Sequence, residues 1–362
     1  MSKHHSSGIY AARDSSGHPV LRTVGNALLF LLVNVLLIVL GLYCALYTVT
    51  KGPSPTIRNL FVRSVRETSA VGFLADIFLS EAEIEQIMSQ GKDVEIEDSD
   101  PSLIVIPETT APADTDEPAK DAWGLSDEDG DGIIIDPVKG EGYVGYMMVV
   151  LDPSRVILAS KAEDFGIRGY TVAEMAEEFD AVAGINAGGF EDPEGRGNGS
   201  IPNTLVVNNG QIYYPEKGTR EGFAGLDGDH ILHVGSFSPD QIRKKNIQSG
   251  VCFGPVLISN GIPREQVFSG INPRTGIAQR SDGAILMLVI EGRRVSSLGA
   301  TYQDMVEIFL SYGAVNACNL DGGSSSMMWY QGEYVNNCAS VTGIRPIPTA
   351  FLVLKNGEES HG

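Results

Sequence analysis

The strongest constraint on the fold of this chain is an apolar run of 23 residues between Ala27 and Val49. The run reads ALLFLLVNVLLIVLGLYCALYTV, and Asn34 is its one strongly polar residue. As an α-helix it spans about 35 Å, which exceeds the roughly 30 Å hydrocarbon core of a bilayer. The sequence predicts a transmembrane helix at residues 27–49 that contacts the lipid bilayer, preceded by a polar tail at residues 1–26.

The run is too long for the apolar core of a secretory signal, and no convincing small-x-small cleavage site follows it. An uncleaved anchor is therefore expected, with a buried helix of a soluble protein as the alternative. Basic residues flank both ends of the run: Arg13, Arg22, Lys51, Arg58, Arg63 and Arg66. A literal count under the positive-inside rule places the C-terminal part in the cytoplasm, although large domains translocate with little regard for nearby charge.

The charge of the chain narrows its partners. With 46 acidic and 26 basic residues the formal net charge is −20, so nucleic acid is not an expected partner.

Residues 50–91 are predicted to form a helical stalk, in which Ser80 and Glu83 make a capping box. Residues 92–131 are rich in Asp, Glu, Pro and Thr and are predicted to be an acidic linker.

Two groups of residues could bind a metal ion or form a disulfide. Asp127, Asp129 and Asp131 have the alternate spacing that begins a calcium loop, but Val138 stands where that loop has its glutamate. Calcium is one interpretation and an acidic turn is the other. Four cysteines are too few for a disulfide framework, so either one bridge, Cys318–Cys338, or scattered buried thiols are expected.

From residue 132 the sequence pattern becomes typical of a folded domain. Short β-rich segments alternate with turns, and amphipathic helices are predicted at residues 171–179 and 301–312. This pattern predicts an α+β fold at residues 132–356, with a mixed, largely antiparallel β-sheet core and packed helices. A polar tail follows at residues 357–362.

Three polar turns flank apolar strands in this domain: INAGGF at 185–190, NPRTGIAQRSDG at 272–283 and NACNLDGGSSS at 316–326. In the last turn, backbone N–H groups at Gly322, Gly323 and Ser324 suit an oxyanion, and Asp321 adds a carboxylate. A plain loop with Asp and Gly as turn formers is the alternative.

In their order and spacing the three turns resemble those of the phosphodiester glycosidase family, which includes N-acetylglucosamine-1-phosphodiester alpha-N-acetylglucosaminidase. The resemblance covers about residues 132–355 and is close to the membrane-anchored bacterial type associated with exopolysaccharides. It extends to DPSRV at 152–156, FGPVLISNG at 253–261 and SLGAT at 297–301.

The resemblance implies hydrolysis of a sugar-1-phosphodiester between the anomeric carbon and the phosphate oxygen. The matching pocket positions are Asn186, Arg274, Thr275, Asp321, Gly322 and Gly323, and Gly188 and Gly189 lie in the first turn. The chain departs from the family pattern at Gly276-Ile277-Ala278 and at Glu291, where the family has Asp.

The residue types fit this chemistry. Arg274 and the N–H groups of the last turn would stabilise the phosphate, and Asp321 is the first candidate for the carboxylate at the anomeric centre. Glu291 and Asp282 are alternative carboxylates, with strand-end turns as their other interpretation. Arg280 is either a second phosphate ligand or a surface arginine. No metal is expected in this pocket.

Two functions remain open from the sequence. One is a membrane-anchored hydrolase of N-acetylhexosamine-1-phosphate linkages in a cell-surface glycan, and the other is a non-catalytic phosphosugar-binding or scaffold protein of an exopolysaccharide system. Because either ligand lies outside the cell, a single-pass protein of the cell membrane with an extracytoplasmic C-terminal domain is expected.

Overall fold

The computed structural model describes residues 19–68, 71–91, 97–107, 120–213, 222–340 and 342–356. The predicted tail at 1–26 lies outside this range up to residue 18, and the tail at 357–362 lies outside it altogether. Residues 92–96 and 108–119 of the predicted acidic linker are likewise not described. The chain divides into two compact units, Met1–Pro55 and Thr56–Gly362.

The six described α-helices are α1 Pro19–Lys51, α2 Pro55–Arg66, α3 Glu81–Ser89, α4 Val172–Glu178, α5 Pro239–Lys244 and α6 Tyr302–Ser311. The helix α1 is long and apolar enough between Thr23 and Lys51 to cross a membrane, a property that membrane spans and signal sequences share. The predicted capping box of Ser80 and Glu83 begins α3, and a second one at Thr171 begins α4.

The described strands are short and all lie between residues 133 and 354. They are β1 Ile133–Gly140, β2 Tyr143–Val150, β3 Val156–Ser160, β4 Ala181–Asn186, β5 Val206–Asn208, β6 Gln211–Tyr213, β7 Phe223–Asp227, β8 Leu232–Gly235, β9 Ile247–Cys252, β10 Val256–Ser259, β11 Ile262–Pro263, β12 Arg274–Arg280, β13 Ile285–Ile290, β14 Ala314–Leu320, β15 Met328–Tyr330, β16 Glu333–Tyr334 and β17 Thr349–Leu354.

Three sheets build the globular unit. A seven-stranded sheet has the order β1-β2-β13-β12-β14-β10-β11, and two five-stranded sheets have the orders β16-β15-β4-β17-β3 and β6-β5-β9-β7-β8. The strand pairs within each sheet are antiparallel. The predicted α+β class with a largely antiparallel core and one N-terminal apolar helix is confirmed.

Strand β13 shows why the core can be apolar on both faces of the large sheet. Ile285, Met287 and Val289 point into a core shared with the two smaller sheets. The alternate residues of β13 point into a second core beneath α6, which Met305 and Phe309 fill. A strand with no polar side chain is stable here because side chains alternate between two buried layers.

Residues 56–91 of the predicted stalk at 50–91 belong to the same compact unit as the strands. They form a small apolar core of their own around Val62, Ile84 and Ile87. Ser64 Oγ accepts a hydrogen bond of 2.9 Å from the Ile271 N–H, and a Cβ built on Gly270 would lie 2.2 Å from Ser64 Cα. This segment therefore packs backbone to backbone against the loop before β12. The division of the chain into domains stays a prediction.

The close contact at Gly270 predicts a large effect of a single methyl group. Gly270→Ala forces the backbone of α2 away from the loop, since neither backbone can move aside as a flexible side chain would. We expect a loss of unfolding free energy of about 1–3 kcal/mol, as for overpacked cores, and faster proteolysis within residues 56–91. Urea unfolding and limited proteolysis measure both effects. Ile262→Ala, at an exposed position of the neighbouring hairpin, is the control, and an unchanged proteolysis rate for Gly270→Ala would contradict the docking.

Candidate active site

A buried amide joins the three polar turns. Asn186, at the end of β4, has no exposed surface, and its Nδ2 donates to the Asp321 carbonyl oxygen at 2.5 Å. Its Oδ1 accepts from Thr275 Oγ1 at 2.9 Å and from the Met327 N–H at 3.1 Å. The side chains of Asn186 and Thr275 are thus used within the protein, and they hold Asp321 in place.

The turn after β14 differs in detail from the predicted oxyanion site, in which the backbone N–H groups of Gly322, Gly323 and Ser324 all face the ligand. The Gly323 N–H donates to the Pro273 carbonyl at 2.9 Å. The chain then closes a short 3₁₀ turn at Gly323–Ser325. Among the described residues, no backbone bond engages the N–H of Ser324. Because the turn uses the N–H of Gly323, the N–H of Ser324 is a predicted donor that remains for a ligand.

Asp321 is the carboxyl group with the most unusual environment in this turn. The residue keeps part of its surface exposed, but its carboxyl group is desolvated. This desolvation raises the pKa of Asp321 to about 7, against the opposite effects of the Ser325 hydrogen bond and the Arg345 charge. The group therefore changes its charge near neutral pH, as a proton donor or acceptor requires.

Two guanidinium groups that the sequence did not single out flank this turn. Arg345 Nη1 donates to Ser324 Oγ at 3.2 Å, and both of its terminal nitrogens bind Asp192 at 2.7 Å. Arg293 is exposed, and a Cβ built on Gly323 would lie 3.2 Å from its Nη2. Arg293 also has φ of 58°, a left-handed conformation that is uncommon for a residue other than glycine.

The predicted phosphate ligand Arg274 lies beside the turn but is turned inward. Its backbone packs near Gly322, whereas its side chain is buried with 4% exposure. Nε donates to the Ala300 carbonyl, and Nη2 donates to the Gly270 carbonyl and to Glu67 Oε2. Burial alone would lower the pKa of Arg274, but the Glu67 carboxylate outweighs it and the pKa rises. Its donors on Nε and Nη2 are therefore occupied by protein acceptors.

Arg280 and Asp282 lie at the other end of β12. Arg280 lies six positions after Arg274, which is about 20 Å along an extended strand. Arg280 Nη1 binds Asp121 at 2.6 Å, its Nη2 binds Asp282 at 2.5 Å, and its guanidinium stacks 3.9 Å from the Trp123 ring. These groups anchor the described part of the predicted linker, far from Asp321.

The remaining predicted site residues are framework groups. Glu291 is buried, and its Oε1 accepts from the Asn337 N–H at 2.8 Å and from Asn337 Nδ2 at 2.9 Å. The Gly188 N–H donates to Thr349 Oγ1, and a Cβ on Gly189 would lie 2.7 Å from the Phe253 ring. Both glycines are buried, so they permit close packing of the first turn rather than offering donors to a ligand.

The acidic cluster and the cysteines lie apart from this turn. The carboxylates of Asp127, Asp129 and Asp131 lie within 4.8 Å of one another, which suits calcium chemically. Asp127, however, already accepts from the Gly130 and Gly132 N–H groups, as an acidic turn would. Calcium stays a prediction. All four cysteines are unbridged, including Cys318 and Cys338.

A cavity of about 500 Å³ opens beside Arg274, between the sheet domain and residues 63–67 and 88–91. Tyr302, whose ring lies 4.3 Å from the Arg274 guanidinium, forms part of its wall, as do Phe253, Arg264 and Glu67. Neither Asp321 nor Arg293 lines it.

The β-sheet domain resembles the phosphodiester glycosidases in sequence and in fold. Residues 179–354 match the family model described as phosphodiester glycosidase. The family resemblance seen in the sequence is confirmed. The family comprises hydrolases that act on glycosidic phosphodiesters.

Individual relatives are distant. The chain is 32% identical over 181 residues to the uncharacterised protein YomE of a Bacillus subtilis prophage, covering 46% of this chain and 27% of the relative. The chain thus spans about a quarter of that relative's length. It also resembles the zebrafish N-acetylglucosamine-1-phosphodiester alpha-N-acetylglucosaminidase catalytic domain, solved auto-inhibited by its pro-peptide, at 18% identity and a TM-score of 0.52. That match covers 62% of this chain and 82% of the zebrafish chain and shows a shared fold.

A further similar structure is a putative exported protein of Burkholderia pseudomallei. It is 15% identical, with a TM-score of 0.46, and the match covers 59% of this chain and 74% of that one.

The position of Arg280 predicts a structural role. Arg280→Met leaves Asp121 and Asp282 without their cation, so we expect a loss of unfolding free energy of roughly 2–4 kcal/mol. Urea unfolding measures it, with the exposed Arg243→Met as the control. The ligand affinity per folded molecule should not change. A loss of phosphate binding at unchanged stability would instead show that Arg280 is a phosphate ligand.

Proposed function

We propose that this chain is a membrane-anchored hydrolase that cleaves a sugar-1-phosphodiester of the N-acetylhexosamine-1-phosphate type in a cell-surface glycan. The globular unit would lie on the extracytoplasmic side, anchored by the apolar helix α1. The N-acetylglucosamine-1-phosphodiester substrate of the similar zebrafish enzyme motivates the choice of sugar. The exopolysaccharide context comes from the sequence resemblance.

The observation that carries the proposal is a titrating carboxyl group beside a cationic turn. Asp321 has a pKa of about 7, and Arg293 and the Ser324 N–H lie at the same turn. A phosphodiester carries one negative charge, which grows on the departing oxygen as the bond to the sugar breaks. A guanidinium and an unused N–H stabilise that charge most in the transition state.

The reaction follows from this arrangement. Water attacks the anomeric carbon, and the bond between that carbon and the phosphate oxygen breaks with its electron pair on oxygen. Asp321, protonated beside the anion, donates its proton to the departing oxygen, and the proton of the attacking water passes to solvent. The products are a free sugar and a phosphomonoester. The ionised form of Asp321 would repel the phosphate, so its raised pKa suits the role of general acid.

Asp321→Asn tests this role. The substitution keeps the shape of the turn but removes the acid, so kcat/KM for release of free sugar should fall by on the order of 10²–10⁴-fold. For the parent, kcat/KM should fall as pH rises through about 7, because the acid is lost on ionisation. The substrate is UDP-N-acetylglucosamine or a methyl phosphodiester of N-acetylglucosamine, and the full chain is assayed in detergent.

Thermal unfolding of each variant separates lost chemistry from a collapsed site. A parental rate for Asp321→Asn would make Asp321 a turn former, and Asp192 would become the next carboxylate to test. Retained binding of the phosphodiester without turnover in the parent would instead indicate a binding protein, the second function that the sequence left open.

Arg293→Ala tests the phosphate ligand. Because Arg293 is exposed over Gly323, its loss should lower kcat/KM by about 10–100-fold and leave the unfolding temperature nearly unchanged. The neighbouring exposed Arg294→Ala is the matched control for loss of positive charge. Steady-state kinetics at two salt concentrations measure kcat/KM for both variants. Equal losses of kcat/KM in the two variants would show that Arg293 contributes only positive charge and is not a phosphate ligand.

A further inference from the structure

A carboxylate from outside the sheet domain accepts hydrogen bonds from the loop before β12. Glu67 follows α2, and its Oε2 accepts from Arg274 Nη2 at 2.8 Å and from Asn272 Nδ2 at 3.1 Å. Its Oε1 accepts from the Gly270 N–H at 2.9 Å. Three donors from residues 270–274 thus converge on one side chain.

Arg274 depends on this carboxylate for its charge balance. The guanidinium is almost entirely buried, and its other acceptors are the neutral carbonyls of Gly270 and Ala300. Glu67 forms its ion pair in the described part of the chain. A buried cation without a counter-charge is strongly unfavourable, so Glu67 determines where the Arg274 side chain lies.

The loop that Glu67 holds is the loop that holds the candidate site. Pro273 lies between Asn272 and Arg274, and its carbonyl accepts the Gly323 N–H at 2.9 Å. The next residue, Thr68, contacts the guanidinium that lies over the turn. Thr68 Oγ1 accepts a hydrogen bond from Arg293 Nη2 at 3.1 Å. Residues 67 and 68 therefore fix both the turn at Gly323 and the guanidinium over it.

We propose that Glu67 is a positioning residue of the active site, which acts through residues 270–274 on the turn at Gly323 while Thr68 orients Arg293. The hydrogen bonds of Glu67 go to this loop rather than to Asp321 or Ser324, so Glu67 supports the ligand donors without covering them. The inference rests on the proposed function. It makes the segment that follows the apolar helix part of the site.

The test compares Glu67→Gln, Glu67→Asp and the exposed control Glu85→Gln in the full chain in detergent. Glu67→Gln removes the charge but keeps the shape, so Arg274 and the turn should shift. We expect KM for the methyl phosphodiester to rise about tenfold or more while kcat changes less, because a displaced site loses binding geometry. Glu67→Asp keeps the charge with a shorter reach, and its KM should lie between those of the parent and Glu67→Gln.

Binding of inorganic phosphate, measured by calorimetry, gives a readout that does not need turnover. The affinity for phosphate should fall in the same order as KM rises, at unchanged thermal stability for Glu67→Asp and Glu85→Gln. If the parent binds phosphate but releases no sugar, the proposed reaction is wrong, and the phosphate affinities alone decide the role of Glu67.

Two results would overturn the inference. Parental KM and phosphate affinity in Glu67→Asp and Glu67→Gln would show that the contact only stabilises the fold. A lower KM or tighter phosphate binding in Glu67→Gln would show that the carboxylate competes with the substrate, and Glu67 would then block the site instead of supporting it.

Discussion

The candidate site depends on a polar side chain buried between two sheets. Asn186 ends β4 in one sheet, whereas Thr275 lies on β12 of another. Asp321 directly follows the adjacent strand β14, in which Leu320 pairs with Thr275. An amide in this place is stable only if both its ends are hydrogen-bonded, and its partners supply those bonds. The requirement to satisfy one buried amide therefore fixes the relative positions of the two sheet edges, and it fixes the position of Asp321 with them.

This architecture explains why the chemistry is divided among distant segments. The strands around the site are too short and too buried to carry exposed charges, so the charged groups come from the turns at their ends. Arg293 follows β13, Asp321 follows β14, and Arg345 precedes β17. Desolvation of Asp321 by these packed turns gives the carboxyl group a pKa close to neutrality, whereas an exposed aspartate would be ionised throughout.

The local features of the fold could be predicted from the sequence because they depend on neighbouring residues. The capping box at Ser80 and the amphipathic helix at residues 301–312 are of this kind. Between Val251 and Leu257 the chain passes from β9 to β10, which belong to different sheets. A continuous apolar stretch does not show where a chain leaves one sheet for another.

The contacts of the site required three-dimensional information. Arg274 and Arg280 are close in sequence, yet an extended strand separates them and only the first lies near Asp321. Glu67 meets Arg274 across a sequence separation of 207 residues, and no periodicity or motif connects them. Arg293 and Arg345 lack a motif as well, although the left-handed turn at Arg293 is the kind of strained position at which functional residues occur.

The central claim is that this site breaks the bond between the sugar and the phosphate oxygen. Hydrolysis of a methyl phosphodiester of N-acetylglucosamine in ¹⁸O-labelled water, with mass spectrometry of both products, tests it directly. Attack at the anomeric carbon predicts the label in the released sugar and none in the phosphomonoester. Label in the phosphomonoester would show attack at phosphorus and would contradict the account.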